Sequence, residues 1–270
     1  MIEKKINALS TWCFGNLLRH EGIAHFVTTR RGGSSRPPYH SLNLSFNVGD
    51  DPERVLNNRR ALAEALGIPL ANLTTARQIH DAHVRIVSEG VQGKGPTDGQ
   101  GAMDGTDAMV TNVPGVCLMV LSADCVPILM FDPAKAVIGV VHAGWKGTLG
   151  LIARKTVKVF QEHFGSSPHD IRAGIGPSIG PCCFEVGPEV ISQVNVRFGT
   201  SKGYIGKNLT DQKGYFDLWS ANLRQLVQAD IPEKNIEVAR VCTCHHADVF
   251  FSHRCEGGKT GRFGAGILIR

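Results

Sequence analysis

The chain has 270 residues, of which 42% are hydrophobic and 20% charged, and its formal net charge is +5. No apolar run approaches the about 18 residues that cross a bilayer, and no Lys/Arg run exceeds two, which argues against a membrane span and a nucleic-acid footprint. The mild positive balance suits small anions. The opening Met1-Ile-Glu-Lys-Lys-Ile6 lacks the apolar core of a secretory signal, so a cytoplasmic protein is expected. Its eight cysteines then read as thiols or metal ligands rather than a disulfide framework.

Residues 1–23 are expected to form an N-terminal surface segment ahead of one catalytic domain at 24–270. Ala24–Thr29 reads as a strand, and Ser41–Asn47 as extended. Asp51-Pro52-Glu53 opens a helix that should end at Gly67, with an acidic cap, Pro in the first turn and a carboxylate near the positive end. Leu73–Ile79 and Val84–Val87 read as strands flanking His80 and His83. Gly-rich Glu89–Asp104 reads as an exposed, mobile loop, followed by a short strand at Asp107–Thr111.

Three apolar runs follow, at Val116–Leu121, Val126–Phe131 and Ala136–Val141, with the turn Asp132-Pro-Ala-Lys135 between the last two. Those two should pair as an antiparallel hairpin whose open end carries Cys125 and His142. Thr148–Phe164 has the periodicity of a long amphipathic helix. Ile171–Ile175 reads as a strand entering the Gly/Pro turn Gly176–Cys183. Pro188–Phe198 and Asp217–Ala229 read as helices, and Ile236–Val241, Val249–Ser252 and Gly264–Ile269 as strands. Without heptads or a long repeat, this mixture predicts an α+β (mixed α/β) fold, one domain of mixed sheets flanked by helices.

His80, Cys125 and His142 form a donor set suited to zinc with one open position. Their spacing is equally compatible with a buried cysteine and two hydrogen-bonded histidines. Cys242, Cys244, His245 and His246, with His253 and Cys255, make a second candidate cluster that lacks a standard zinc spacing. Cys182 and Cys183 read as small core residues. Gly257-Gly-Lys-Thr260 fails as a P-loop because position 253 is His. No His-x-His pair occurs among the eleven histidines, as a trinuclear copper cluster would need, although His80, Cys125 and His142 could imitate a single copper site.

Ser41-Leu-Asn-Leu-Ser, Asn58-Arg59, Gln78-Ile-His80, Ala123-Asp-Cys125-Val-Pro-Ile, His142-Ala-Gly-Trp-Lys-Gly-Thr148, Gly176–Cys183 and Phe251-Ser-His-Arg254 with Thr260-Gly-Arg262 together resemble the YfiH-type laccase-domain family. That family was once called polyphenol oxidase and is now regarded as purine nucleoside phosphorylase. The resemblance covers residues 24–270. It implies a fold distantly similar to the catalytic domain of cytotoxic necrotizing factor toxins, and zinc held by His80, Cys125 and His142. It also implies phosphorolysis of adenosine, inosine, guanosine and methylthioadenosine, with deamination of adenosine. Purine nucleosides and phosphate are then the expected partners, with neither nucleic acid nor membrane. Two departures stand out: Lys146 and Cys255 occupy positions where the family commonly has Arg.

On that reading His80, Cys125 and His142 carry the chemistry, with Asp124 as acid/base, as a support for a ligand, or as a shaper of its turn. Arg59 and Lys146 would hold the anion, Asn43, Gln78 and Glu185 would meet ribose or base, and Arg254 would touch phosphate. A cysteine hydrolase or amidase acting on peptidoglycan precursors, with Cys125 as nucleophile and His142 as base, stays open. So do a copper-dependent polyphenol oxidase and a zinc-stabilised binding module on Cys242–Cys255.

Overall fold

Strands that are apolar without alternation must be covered on both faces. A computed structural model, which describes residues 1–6, 9–90, 93–99, 102–207 and 212–270, shows how this is done. Two six-stranded sheets stack face to face. The first runs in the order Ile2–Ile6, Leu9–Cys13, Ile23–Thr28, Phe263–Ile269, Cys117–Ser122 and Leu73–Thr75. The second runs Ile236–Val238, Arg172–Ile175, Val126–Asp132, Val137–Ala143, Ala108–Thr111 and Val84–Ile86. A small three-stranded sheet joins Glu185–Val186, Gly214–Phe216 and Ile205–Lys207. The fold is a mixed α+β single domain.

Alternation along each strand sorts its side chains between layers. Leu129, Phe131, Ile138 and Val140 point into the core between the sheets, where they meet Leu118, Val120, Ala265 and Ile267. Ile128, Met130, Val137 and Val141 face the other way, against helix Ile152–Phe164 and helix Leu218–Gln228. The outer face of the first sheet packs Phe26, Cys117 and Met119 against Leu62 of helix Pro52–Leu66. That helix starts as its sequence suggests: Asp51 accepts from Glu53 N at 2.9 Å, and Gly67 closes it at φ 68°.

The expected hairpin is present. Val126–Asp132 pairs antiparallel with Val137–Ala143, with Pro127 opposite His142. Asp132 holds the turn by accepting from Ala134 N at 2.8 Å.

Several expectations change. Residues 2–6 and 9–13 are strands of the first sheet, and Phe14 and Leu17 are fully buried, so this segment is not a surface appendage. Its buried stretch packs tightly: Phe14 lies so close to Gly174 that a Cβ there would stand 2.5 Å from the ring. The helix expected at Thr148–Phe164 is two, Trp145–Leu149 and Ile152–Phe164, broken at Leu151 with φ 60°. The strand expected at Leu73–Ile79 ends at Thr75, and that expected at Ile236–Val241 ends at Val238. Val249–Ser252 forms no strand: it leaves a turn in which Val249 N and Phe250 N both bond back to His246 O. Of the loop expected to be mobile, residues 91–92 and 100–101 lie outside the described residues; elsewhere Lys94 O accepts from Thr75 N at 3.0 Å.

Candidate active site

The link Ser122–Val126 passes from the first sheet to the second, and the site is built around it. Ser122 Oγ donates to Cys125 O at 2.5 Å, which tightens the link. Asp124 sits at φ 86°, a region a non-glycine residue enters only with outside support. Its carboxylate accepts from Thr243 Oγ1 at 2.6 Å, Ser252 Oγ at 2.8 Å and Arg254 N at 2.7 Å. These bonds tie the link to two loops from the end of the chain, so the carboxylate shapes the wall and is fully engaged in doing so.

His142, buried at the end of the hairpin, directs Nδ1–H to Asp107 Oδ1 at 2.9 Å. With Nδ1 so used, Nε2 is the nitrogen left for Cys125. The same Asp107 carboxylate accepts from the backbone N–H groups of Ile79 (3.2 Å), His80 (3.0 Å) and Asp81 (3.0 Å). This wrapping holds His80 at φ 61° and sets its ring at 83° to that of His142, with centroids 4.9 Å apart. One buried carboxylate therefore positions two imidazoles that are far apart in sequence. Burial works to raise the Asp107 pKa, but donors from His142, Asp81 and Ile79 hold it below the ordinary carboxylate value.

The ligating atoms of His80, Cys125 and His142 all lie within 4.8 Å of one another. Burial would push the Cys125 thiol up, yet His142 and His80 pull it down to about 6. Burial also opposes a charge on His142, but Cys125 and Asp107 raise it to about 9. Gly144 completes the cradle: a Cβ there would stand 3.2 Å from Cys125 Sγ and 3.3 Å from His80 Cδ2. Two imidazoles and a thiolate fit a metal ion in chemistry and spacing, and the proton shared by His142 and Cys125 is the one a metal displaces.

These residues line a cavity of about 510 Å³. Gln78, Asp124 and Arg254, named from the sequence, line it too. Gln78 is pinned to Leu121, donating to its carbonyl and accepting from its N–H, both at 2.8 Å. Arg254 lies over Phe184, 5.2 Å from its centroid, and donates to Glu185 O at 3.1 Å.

Four expected substrate contacts do not line this cavity. Arg59 is fully buried beneath its helix, donating to Leu44 O at 2.8 Å and Gly95 O at 2.5 Å, so its fork organises backbone. Asn43 is buried too, accepting from Ser45 N at 3.1 Å and Arg262 N at 2.9 Å. Lys146 holds its ammonium over the Trp145 ring, 5.6 Å from the centroid, and Glu185 pairs with Lys213 at 3.0 Å. Arg262, named from the sequence as part of a matched block, does line the cavity, as do His253, Trp145 and Phe184. Burial lowers the Arg262 pKa, while Cys125, Asp124 and Glu256 work to keep its charge. Asp107 had no sequence signal beyond starting a strand.

A family model for "multi-copper polyphenol oxidoreductase laccase" matches residues 24–270. The chain belongs to this laccase-like family. Among its relatives in the family, a purine nucleoside phosphorylase of Bacteroides thetaiotaomicron is 37% identical over 95% of each chain. An adenosine deaminase, RL5, from an unknown prokaryotic organism is 38% identical over 92% of this chain and 94% of its own. The crystal structure of YlmD from Geobacillus stearothermophilus superposes with a TM-score of 0.92 at 36% identity, covering 99% of this chain and 98% of that one. No helix among the described residues is long and apolar enough to cross a membrane.

Proposed function

We propose that this laccase-like protein is a zinc-dependent purine nucleoside phosphorylase, acting on adenosine, inosine, guanosine and methylthioadenosine, with adenosine deamination as a second activity. The observation that carries the reading is a two-imidazole, one-thiolate donor set in a cavity that also holds two guanidinium groups, Arg254 and Arg262. The names of the Bacteroides phosphorylase and of RL5 support the two activities. A cation-lined pocket with Phe184 and Trp145 in its wall suits a flat base and an anion together.

In phosphorolysis a phosphate oxygen bonds to C1′, the N-glycosidic bond breaks, and the purine leaves with its electron pair and takes a proton at a ring nitrogen. Zinc held by His80, Cys125 and His142 would supply a Lewis acid and a water acidified toward about 7. Asp107 keeps both imidazoles oriented throughout. Arg254 and Arg262 offset charge on phosphate and on the departing base. Asp124, engaged by three donors, keeps the wall closed rather than moving protons. Of the lining imidazoles only His253 lies outside the ligand trio, which makes it the candidate to pass the proton to the base.

One observation favours a second reading. Cys125, His142 and Asp107 line up as thiolate, imidazolium and carboxylate, the order of a cysteine-hydrolase triad. Such a triad has no use for His80 against the same sulfur. Chelation separates the two. The phosphorylase should lose inosine turnover to dipicolinate and regain it with added zinc. Turnover that survives chelation and is destroyed by iodoacetamide would establish the hydrolase instead. Copper-dependent phenol oxidation, a third reading, would announce itself as oxygen uptake restored by copper alone.

A further inference from the structure

Cys182 and Cys183 were read from sequence as core residues, and Cys242, Cys244 and Cys255 as possible partners of one another. The structure rearranges them. Cys244 and Cys255 pair in a disulfide, a bond the thiol reading did not expect. Cys182, Cys183, Cys242 and His245 converge from two separate loops, with their donor atoms all within 4.8 Å of one another. His245 places Nδ1 3.7 Å from Cys182 Sγ and Nε2 3.3 Å from Cys183 Sγ. One of these nitrogens can ligate an ion held by the sulfurs, and the nitrogen-to-sulfur edge of a tetrahedral zinc site is about 3.5 Å.

We infer that Cys182, Cys183, Cys242 and His245 form a second, structural zinc site. Three thiolates and one imidazole fill all four positions and leave none for water, which marks a closed site. The loops are shaped for it. Gly180 N–H points at Cys242 Sγ at 3.3 Å, the kind of backbone donor that supports a ligating thiolate. Beside it, Ser178 bridges Cys242 in a parallel β-bridge, with Ser178 N bonded to Val241 O and Thr243 N to Ser178 O, both at 3.1 Å. The two loops are thus already in register where the ligands meet. Gly180 has no room for a side chain: a Cβ would stand 2.7 Å from Trp219 and 3.1 Å from Cys182 Sγ.

The site's position gives it a role. The first loop continues from Cys183 into Phe184. The second carries Thr243, which holds Asp124, and leads on to His253 and Arg254. Phe184, His253 and Arg254 all line the cavity. Zinc at this point staples the two loops that form one wall of the pocket and fixes the Arg254–Phe184 stack. Losing it should raise KM several-fold and leave kcat less affected, because the wall would loosen while His80, Cys125 and His142 keep their places.

Metal counting tests the site separately from the catalytic reading. Purified under reducing conditions from zinc-supplemented cells, the full chain should hold about two zinc ions, and Cys125→Ala should still hold about one. Cys182→Ser combined with Cys183→Ser should lower the count by about one in either background. If zinc is instead absent from a folded Cys125→Ala protein, the second site does not exist, whereas the catalytic assignment survives. If Cys182→Ser/Cys183→Ser fails to fold, cobalt loading of Cys125→Ala decides. Strong sulfur-to-cobalt charge-transfer absorption of a three-thiolate tetrahedral site is the expected spectrum, and the weak spectrum of octahedral cobalt overturns the proposal.

Discussion

Asp107 illustrates how much one residue can organise. It is fully buried, accepts from three successive backbone N–H groups and orients His142, so the two imidazoles depend on a single carboxylate. Asp107→Asn should weaken zinc binding by about 10–100-fold, the usual effect of losing an outer partner of a metal-ligating histidine. Competition against a chelating dye measures this, and an unchanged affinity would remove Asp107 from that role. His253 offers a contrasting case. It lines the cavity but ligates nothing in the proposed centre. His253→Asn should lower kcat by about a hundredfold or more while zinc content stays constant, as expected for a lost proton donor. A kcat within about twofold of the parent would move the proton transfer elsewhere.

Among the elements, the N-terminal strands carry an unexpected share of the packing. Phe14 stacks on His25 with centroids 6.1 Å apart, and Phe14 N–H donates to His25 Nε2 at 2.9 Å, which requires a neutral ring. Burial lowers the His25 pKa from 6.5 to about 4. Between those values the unfolded chain binds more protons than the folded one, so stability falls as pH drops through that window and loses nothing further to this group below it. The loss is about 3 kcal/mol at most. Urea unfolding at neutral pH and near the lower limit should show a smaller acid loss in His25→Gln than in the parent. Equal losses would mean that His25 charges freely in the fold.

The same elements show what sequence could and could not reveal. The hairpin was legible because strands buried on both faces leave continuous apolar runs, and because Asp132-Pro133 marks its turn. The break at Leu151 was not, since the apolar period runs across it and the kink answers to Ala82, whose Cβ would be 2.6 Å from a Cβ at Gly150. The hairpin brought Cys125 and His142 together from sequence, but His80 joined them only through resemblance, because nothing local links it to the other two. Arg59 misled for the opposite reason: an arginine in a matched block looks available to an anion, but its helix turns it inward to backbone carbonyls. The Cys182–His245 cluster was hidden by distance, with Cys183 and His245 62 positions apart.

For the whole molecule, two stacked sheets with helices outside are joined at the link Ser122–Val126, where a strand of the first ends and a strand of the second begins. His142 comes from a strand end, and the other chemically capable groups of the cavity are delivered by crossing loops. The layers supply rigidity, and the loops supply Arg254, Arg262, Phe184 and His253. Two guanidinium groups, Arg254 and Arg262, line the same cavity as the proposed metal ligands. The most direct measurement is to incubate the purified zinc-loaded protein with inosine, with and without phosphate, and identify products by mass. Hypoxanthine and ribose 1-phosphate should appear in equal amounts, only when phosphate is present, and not with Cys125→Ala. Hypoxanthine released without phosphate, or undiminished phosphorolysis by Cys125→Ala, would contradict a phosphorylase centred on His80, Cys125 and His142.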